Sequence, residues 1–167
     1  MRDLAQVALA GAHGSAEHVE PTRFCTHCGA LFDASTSSPE RPLRGRVCSS
    51  CGLGMVLRCS SKLLSRPGAA FLVVTSDLLV SAASQAAEDL LDSGQGLYGQ
   101  PLLSVLTSPT GVAELTRRVV RAATGERVVA SVPVQPAARK LNGVSLEARI
   151  GNCSSPPAAL VVVEAAA

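Results

Sequence analysis

Two short cysteine pairs constrain what the first third of this 167-residue chain can fold into. They read Cys25-Thr26-His27-Cys28-Gly29 and Cys48-Ser49-Ser50-Cys51-Gly52, with nineteen residues between Cys28 and Cys48. Two residues inside a pair let both sulfurs turn toward one point. A glycine after each second cysteine admits the positive φ with which the chain swings away. The intervening stretch is long enough for a hairpin that brings the pairs together. Four thiolates at one point suit a tetrahedral zinc ion at roughly 2.3 Å. All four positions are then filled by protein and none is left for water. Cys25, Cys28, Cys48 and Cys51 are therefore expected to hold a structural zinc and to catalyse nothing. Rubredoxin-type iron uses the same pairs, but only Phe24 and Phe32 are near enough to supply its aromatic packing, so iron ranks second.

Other uses of these cysteines fit less well. A disulfide framework belongs to small secreted domains, and Asp3 and Gln6 deny the apolar start of the chain the form of an export signal. A thioredoxin-like redox pair needs one Cys-x-x-Cys at a strand-to-helix junction, not two matched pairs. His27 lies inside the first pair and is expected to face solvent. Cys59 and Cys153 fall outside the pattern and read as small buried apolar residues. Reduced thiolates that ligate a metal point to the cytoplasm.

Charge is unevenly spread. Residues 1–66 hold eight Lys/Arg and five Asp/Glu, a balance of +3, while residues 67–167 hold seven and eight, a balance of −1. Arg41, Arg44 and Arg46 lie between the cysteine pairs, where a solvated face is expected ahead of a nucleic-acid contact. No apolar run approaches the length of a membrane span. Aromatic residues number four, Phe24, Phe32, Phe71 and Tyr98, so stacking platforms for single-stranded nucleic acid are effectively absent and Leu, Val and Ala must build the core.

The chain divides near Arg66-Pro67-Gly68. Residues 1–20 are an N-terminal segment in which 2–12 are expected to form a short helix. Residues 21–66 are a zinc ribbon with Lys62–Gly68 as its connector, and Leu31-Phe32 is expected to pair with 44–47. Residues 67–167 form a second domain. In it Phe71–Thr75 and Leu78–Ser81 read as a strand hairpin around Asp77. Ser84 offers a helix N-cap for the segment ending at Leu91. Pro101–Leu106 reads as a short helical piece, and Pro109 begins a third helix, with Val112, Leu115, Val119 and Ala122 at helical spacing and Gly125 as its stop. Strands are expected at 127–135, 144–150 and 159–164, with Cys153 between the last two.

This order, β-β-α-α-α-β-β-β, together with Phe71-Leu72-Val73-Val74, Ser84-Gln85-Ala86-Ala87-Glu88-Asp89-Leu90-Leu91 and Tyr98-Gly99-Gln100-Pro101-Leu102, resembles a PAS domain over about residues 68–165. Ser84 stands where such domains often carry Asn. The resemblance implies a five-stranded antiparallel sheet with helices on one face, making the whole chain an α+β protein. It also implies a sensor or a dimer and partner interface, not an enzyme. Haem finds no histidine after His27, and flavin photochemistry finds no cysteine in a suitable loop, so neither is expected. A small organic ligand stays open beside an interior simply filled by Leu, Val and Ala.

Gly94-Gln95-Gly96-Leu97-Tyr98-Gly99 matches a dinucleotide fingerprint, but a helix precedes it where a strand is needed, so the glycines are expected to make turns. The histidines are His13, His18 and His27, which leaves the large domain without a histidine base and without a catalytic constellation. Two functions remain. One is a cytoplasmic sensor or adaptor whose PAS-like domain binds a ligand, a protein partner or a second copy, with the ribbon as a further interface. The other is a regulator whose ribbon contacts nucleic acid.

Overall fold

The computed structural model describes residues 21–32, 46–91, 94–137, 144–154 and 156–166. The N-terminal segment, with the helix expected at 2–12, and the tract 33–45 lie outside the described residues.

From Ala70 onward the elements follow the apolar pattern. Strands β4 (Ala70–Val74) and β5 (Val80–Ala83) form a hairpin, followed by helix α1 (Gln85–Leu91) and the single-turn α2 (Leu102–Val105). The two-residue strand β6 (Leu106–Thr107) leads to helix α3 (Val112–Ala123). Strands β7 (Ala130–Pro136), β8 (Leu146–Ser154) and β9 (Ala158–Ala165) close the chain. They pair in the order β7-β8-β9-β4-β5, every pair antiparallel. Leu72, Val74, Ile150, Val161 and Val163 share one buried cluster with Ala87 and Leu91 of α1, Leu102 of α2, and Leu115 and Val119 of α3. The helices therefore cover one face of an antiparallel sheet, as the resemblance implied.

Successive strand residues point to opposite faces, so Phe71, Val73, Leu160 and Val162 look away from the helices. They are buried as well, in a second cluster. That is why 71–74 and 159–163 read as unbroken apolar runs instead of alternating ones: both sides of β4 and β9 are dry.

The cover on this second side is the cysteine module. Its strands are β1 (Pro21–Cys25), β2 (Leu31–Phe32) and β3 (Val56–Ser60). Arg58 and Cys59 of β3 pair with Ser154 and Cys153 of β8, so the sheet runs on past the body as β2-β1-β3-β8-β9-β4-β5. Strands β1 and β4 stand four spacings apart, about 19 Å in a flat sheet. Yet the rings of Phe24 and Phe71 meet edge-to-face with centroids 5.2 Å apart. The sheet curls until the module folds back over the face opposite the helices. Phe24, Leu57, Cys59, Leu63 and Leu64 pack there against Phe71, Val73, Leu160 and Val162.

Several local expectations are corrected. Leu63 and Leu64, inside the expected connector, are 0% and 1% exposed. A lone Leu-Leu pair has no period, so the pattern hid a core segment. Arg149 Nη1 donates to the Lys62 carbonyl at 2.9 Å and holds this segment to β8, while its Nη2 reaches Glu164 at 3.1 Å. Leu31 and Phe32 pair with Phe24 and Arg23 across the short turn after Cys25, and Val47 bridges to Met55, while residues 44 and 45 of the expected partner segment lie outside the described residues. Strand β5 starts at Val80, since Leu78 takes φ 62° in the turn. Strand β7 begins at Ala130, and β8 continues to Ser154, which puts Cys153 inside a strand. Val112, the first residue of α3, is 46% exposed and leaves burial to Leu115, Val119, Ala122 and Ala123.

Candidate metal centre

The two cysteine pairs are built alike. In the first, the Gly29 N–H donates to the Cys25 carbonyl at 3.1 Å, and the His27 N–H points at Cys25 Sγ at 3.4 Å. In the second, the Gly52 N–H donates to the Cys48 carbonyl at 2.9 Å, and the Ser50 N–H points at Cys48 Sγ at 3.3 Å. Gly29 and Gly52 have φ of 68° and 70°, the conformation expected of the glycine that ends each turn. The segment Gly54-Met55 laces the two turns together. The Gly54 carbonyl accepts from the Cys48 N–H at 2.8 Å and the Met55 carbonyl from the Thr26 N–H at 2.9 Å. The Met55 N–H donates in return to Thr26 Oγ1 at 3.0 Å.

This brings the sulfurs of Cys25, Cys28, Cys48 and Cys51 within 4.8 Å of one another. Cys25 Sγ and Cys51 Sγ are 3.7 Å apart, and Cys28 Sγ and Cys48 Sγ 3.8 Å. Four sulfurs at roughly 2.3 Å from a tetrahedral centre would be separated by about 3.8 Å. Spacing and donor type thus fit a metal ion such as zinc. Within the cluster the thiols are driven apart in acidity. Burial pushes Cys25 up to about 12, while the Gly54 and Leu53 backbone N–H groups hold Cys51 down to about 6. A thiolate stabilised by backbone donors is a ready ligand, and a buried neutral thiol must release its proton to become one.

Gly54 is the residue that sequence reasoning missed. A Cβ there would stand 2.3 Å from Cys25 Sγ and 2.8 Å from the His27 nitrogen. Its signal was the second glycine in Gly52-Leu53-Gly54, which the Cys-x-x-Cys-Gly pattern does not include.

The first turn is also joined to the body. The Gln85 N–H, at the start of α1, donates to the His27 carbonyl at 3.2 Å. Gly29 sits against Gly68 and Phe71, where an added Cβ would lie 3.2 Å from the Gly68 nitrogen and 3.6 Å from Phe71 Cε1. Buried Ser84 organises the same corner. Its Oγ accepts from Ala87 N–H at 3.2 Å, as the expected N-cap, accepts from Phe71 N–H at 3.0 Å, and donates to the Ala69 carbonyl at 3.0 Å.

The remaining candidates fall elsewhere. The His27 side chain is exposed, and His13 and His18 lie outside the described residues. Cys59 and Cys153 are buried and face each other in the β3–β8 register, apart from the four-sulfur cluster. Burial raises both thiols to about 12, with each other's proximity adding to Cys59. Gly94, Gly96 and Gly99 all have positive φ. They form turns that hold buried Leu97, whose N–H donates to the Glu88 carboxylate at 3.2 Å. The α2 turn that follows has Pro101 at its cap and is too short to receive a pyrophosphate. No helix among the described residues is long and apolar enough to cross a membrane.

No family model matches the chain. No curated protein matches it either. Among solved structures, the PAS domain of a protein from Desulfitobacterium hafniense is similar, with a TM-score of 0.47 and 16% identity. The match covers 63% of this chain and 99% of that one.

Proposed function

We propose that this chain is a non-enzymatic cytoplasmic sensor or adaptor, in which a structural zinc ribbon, residues 21–66, is fastened onto the sheet of a PAS-like body. The observation that carries the proposal is the seam between cysteine cluster and body: the His27 carbonyl accepts from Gln85, and Phe24 seals against Phe71. A binding module transmits a state through packed contacts of this kind. The zinc orders the first turn, the turn orders the start of α1, and the ribbon buries the sheet face. The zinc itself supplies folding energy rather than chemistry, since four thiolates leave it no open position. Exposed Val47, Leu53 and Met55, which flank the second cysteine pair, support a protein contact on the ribbon.

Native mass spectrometry and hydrogen exchange test this together. One zinc per chain is expected. Stripping it with a chelator should raise exchange at the Gln85 and Phe71 amides as well as in the ribbon. A chain isolated with iron, or a metal-free chain whose α1 and β4 keep full protection, would count against it.

A further inference from the structure

The join between ribbon and body leaves a second feature, separate from the sulfur cluster. Strands β7 and β3 share one edge of β8, because β9 occupies the other. Strand β7 pairs as far as Ile150 and β3 takes over at Cys153, so Gly151 and Asn152 fall between the two strand ends. Beside this gap lies a cleft of about 650 Å³, with Arg58 and Lys62 on the ribbon side and Arg127 on the approach to β7. Ser60, Asn152 and Ser154 add neutral hydrogen-bonding groups, and among the described residues no carboxylate lines it.

Two arginines, Arg58 and Arg127, converge on one concavity in a chain whose net charge is only +2. The β1–β3 register sets Arg23 directly opposite Arg58. Like charges directly opposite on neighbouring strands repel. Among the described residues, neither Arg58 nor Arg127 makes an ion pair. Arg149, by contrast, is engaged by Glu164 and by the Lys62 carbonyl, which fixes the backbone that carries Lys62. A fixed wall, convergent cations and neutral donors together describe a receptor for a multiply charged anion.

We propose that this cleft binds a small phosphate-bearing molecule. Arg58 and Arg127 present planar guanidinium forks that match phosphate oxygens two at a time. Asn152 and Ser154 donate to the remaining oxygens. The volume exceeds what a bare phosphate fills, and Val129 gives an apolar wall for an organic portion. Because its walls come from both β3 and the segment leading into β7, the bound molecule clamps the ribbon to the body. This goes beyond the zinc-ribbon reading and does not depend on which metal the cysteines hold.

The test is calorimetric titration of the full, metal-loaded chain at constant ionic strength. Inorganic pyrophosphate and phenyl phosphate are the probes, with citrate and a mixed-sequence DNA duplex as comparisons. Saturable one-to-one binding of pyrophosphate is expected, together with shifts of the Asn152 and Ser154 amide signals. Phenyl phosphate should occupy the same site. Arg58→Ala and Arg127→Ala should each weaken binding about tenfold or more, as loss of a charge-assisted contact does, and the double variant should abolish it. Arg117→Ala, on α3 and paired with Glu114, should change nothing. Metal content reports the fold of every variant. Arg127 lies outside the strands, so Arg127→Ala keeps the test decisive if Arg58→Ala disturbs β3. Non-saturable binding, binding retained by a folded double variant, equal binding of citrate, or DNA binding that pyrophosphate does not compete would each overturn the proposal.

Discussion

Replacing Gly54 by alanine tests the metal centre through a residue that is not a ligand. The added Cβ would sit 2.3 Å from Cys25 Sγ, more than 1 Å inside ordinary contact, which begins at 3.4 Å. Relief cannot come from the far end of a flexible side chain alone, since the His27 backbone nitrogen lies 2.8 Å away on the same side. Either Cys25 Sγ leaves its corner of the tetrahedron or the Gly54-Met55 segment lifts off both turns. In the first case one of four ligands is lost. Structural zinc sites contribute roughly 10–16 kcal/mol in total, so one ligand's share is roughly 3 kcal/mol, about two orders of magnitude in affinity. Competition against a chromophoric zinc chelator reads this directly. Gly52→Ala is the matched control. Its φ of 70° disfavours a side chain, but nothing lies within 4 Å of the new Cβ. The cost there is conformational, on the order of 1 kcal/mol, and affinity should stay within about tenfold of the parent. A Gly54→Ala chain that binds zinc as tightly as the parent, or a Gly52→Ala chain that suffers equally, would refute the close-approach argument.

Further outcomes follow from the same geometry. A Cys25→Ser/Cys48→Ser double variant should lose the metal, while Cys59→Ser and Cys153→Ser should retain one equivalent by elemental analysis; a zinc-loaded double variant would remove these two residues from the ligand set. Phe24→Ala, at a side chain with no exposed surface, should cost about 3–5 kcal/mol in denaturant unfolding. A double-mutant cycle with Phe71→Ala should give a coupling of about 0.5–1.5 kcal/mol, and zero coupling would mean that the cysteine module does not seal on the sheet. Cys59 and Cys153, both raised to about 12 in the fold, hold stability that is complete below the ordinary thiol range near 9 and is lost as pH rises from there toward 12. Under reducing conditions the parent should therefore weaken between pH 8 and 10 by up to roughly 1.4 kcal/mol per thiol more than a Cys59→Ala/Cys153→Ala variant, and parallel pH profiles would contradict the assignment.

What could be read along the chain was whatever depends on near neighbours. Cys-x-x-Cys-Gly is a local device: two sulfurs, the N–H donors between them and a glycine with positive φ all lie within five residues. The helical spacing of Leu115, Val119 and Ala122 and the capping hydroxyl of Ser84 are local too, which is why the clustering of the four cysteines, α3 and the start of α1 were legible. Leu63 and Leu64 show where such legibility ends. Nothing in Lys62-Leu63-Leu64-Ser65 distinguishes a linker from a core segment, because their burial depends on the sheet curling until β1 lies over β4. The same curl decides that Phe71, Val73, Leu160 and Val162 are covered by the cysteine module, brings Cys59 opposite Cys153 across 94 positions of sequence, and sets Arg127 beside Arg58. Apolar pattern records that a side chain avoids water but not which partner excludes it. That choice belongs to long-range strand pairing, and here two residues of β3 laid against β8 make it.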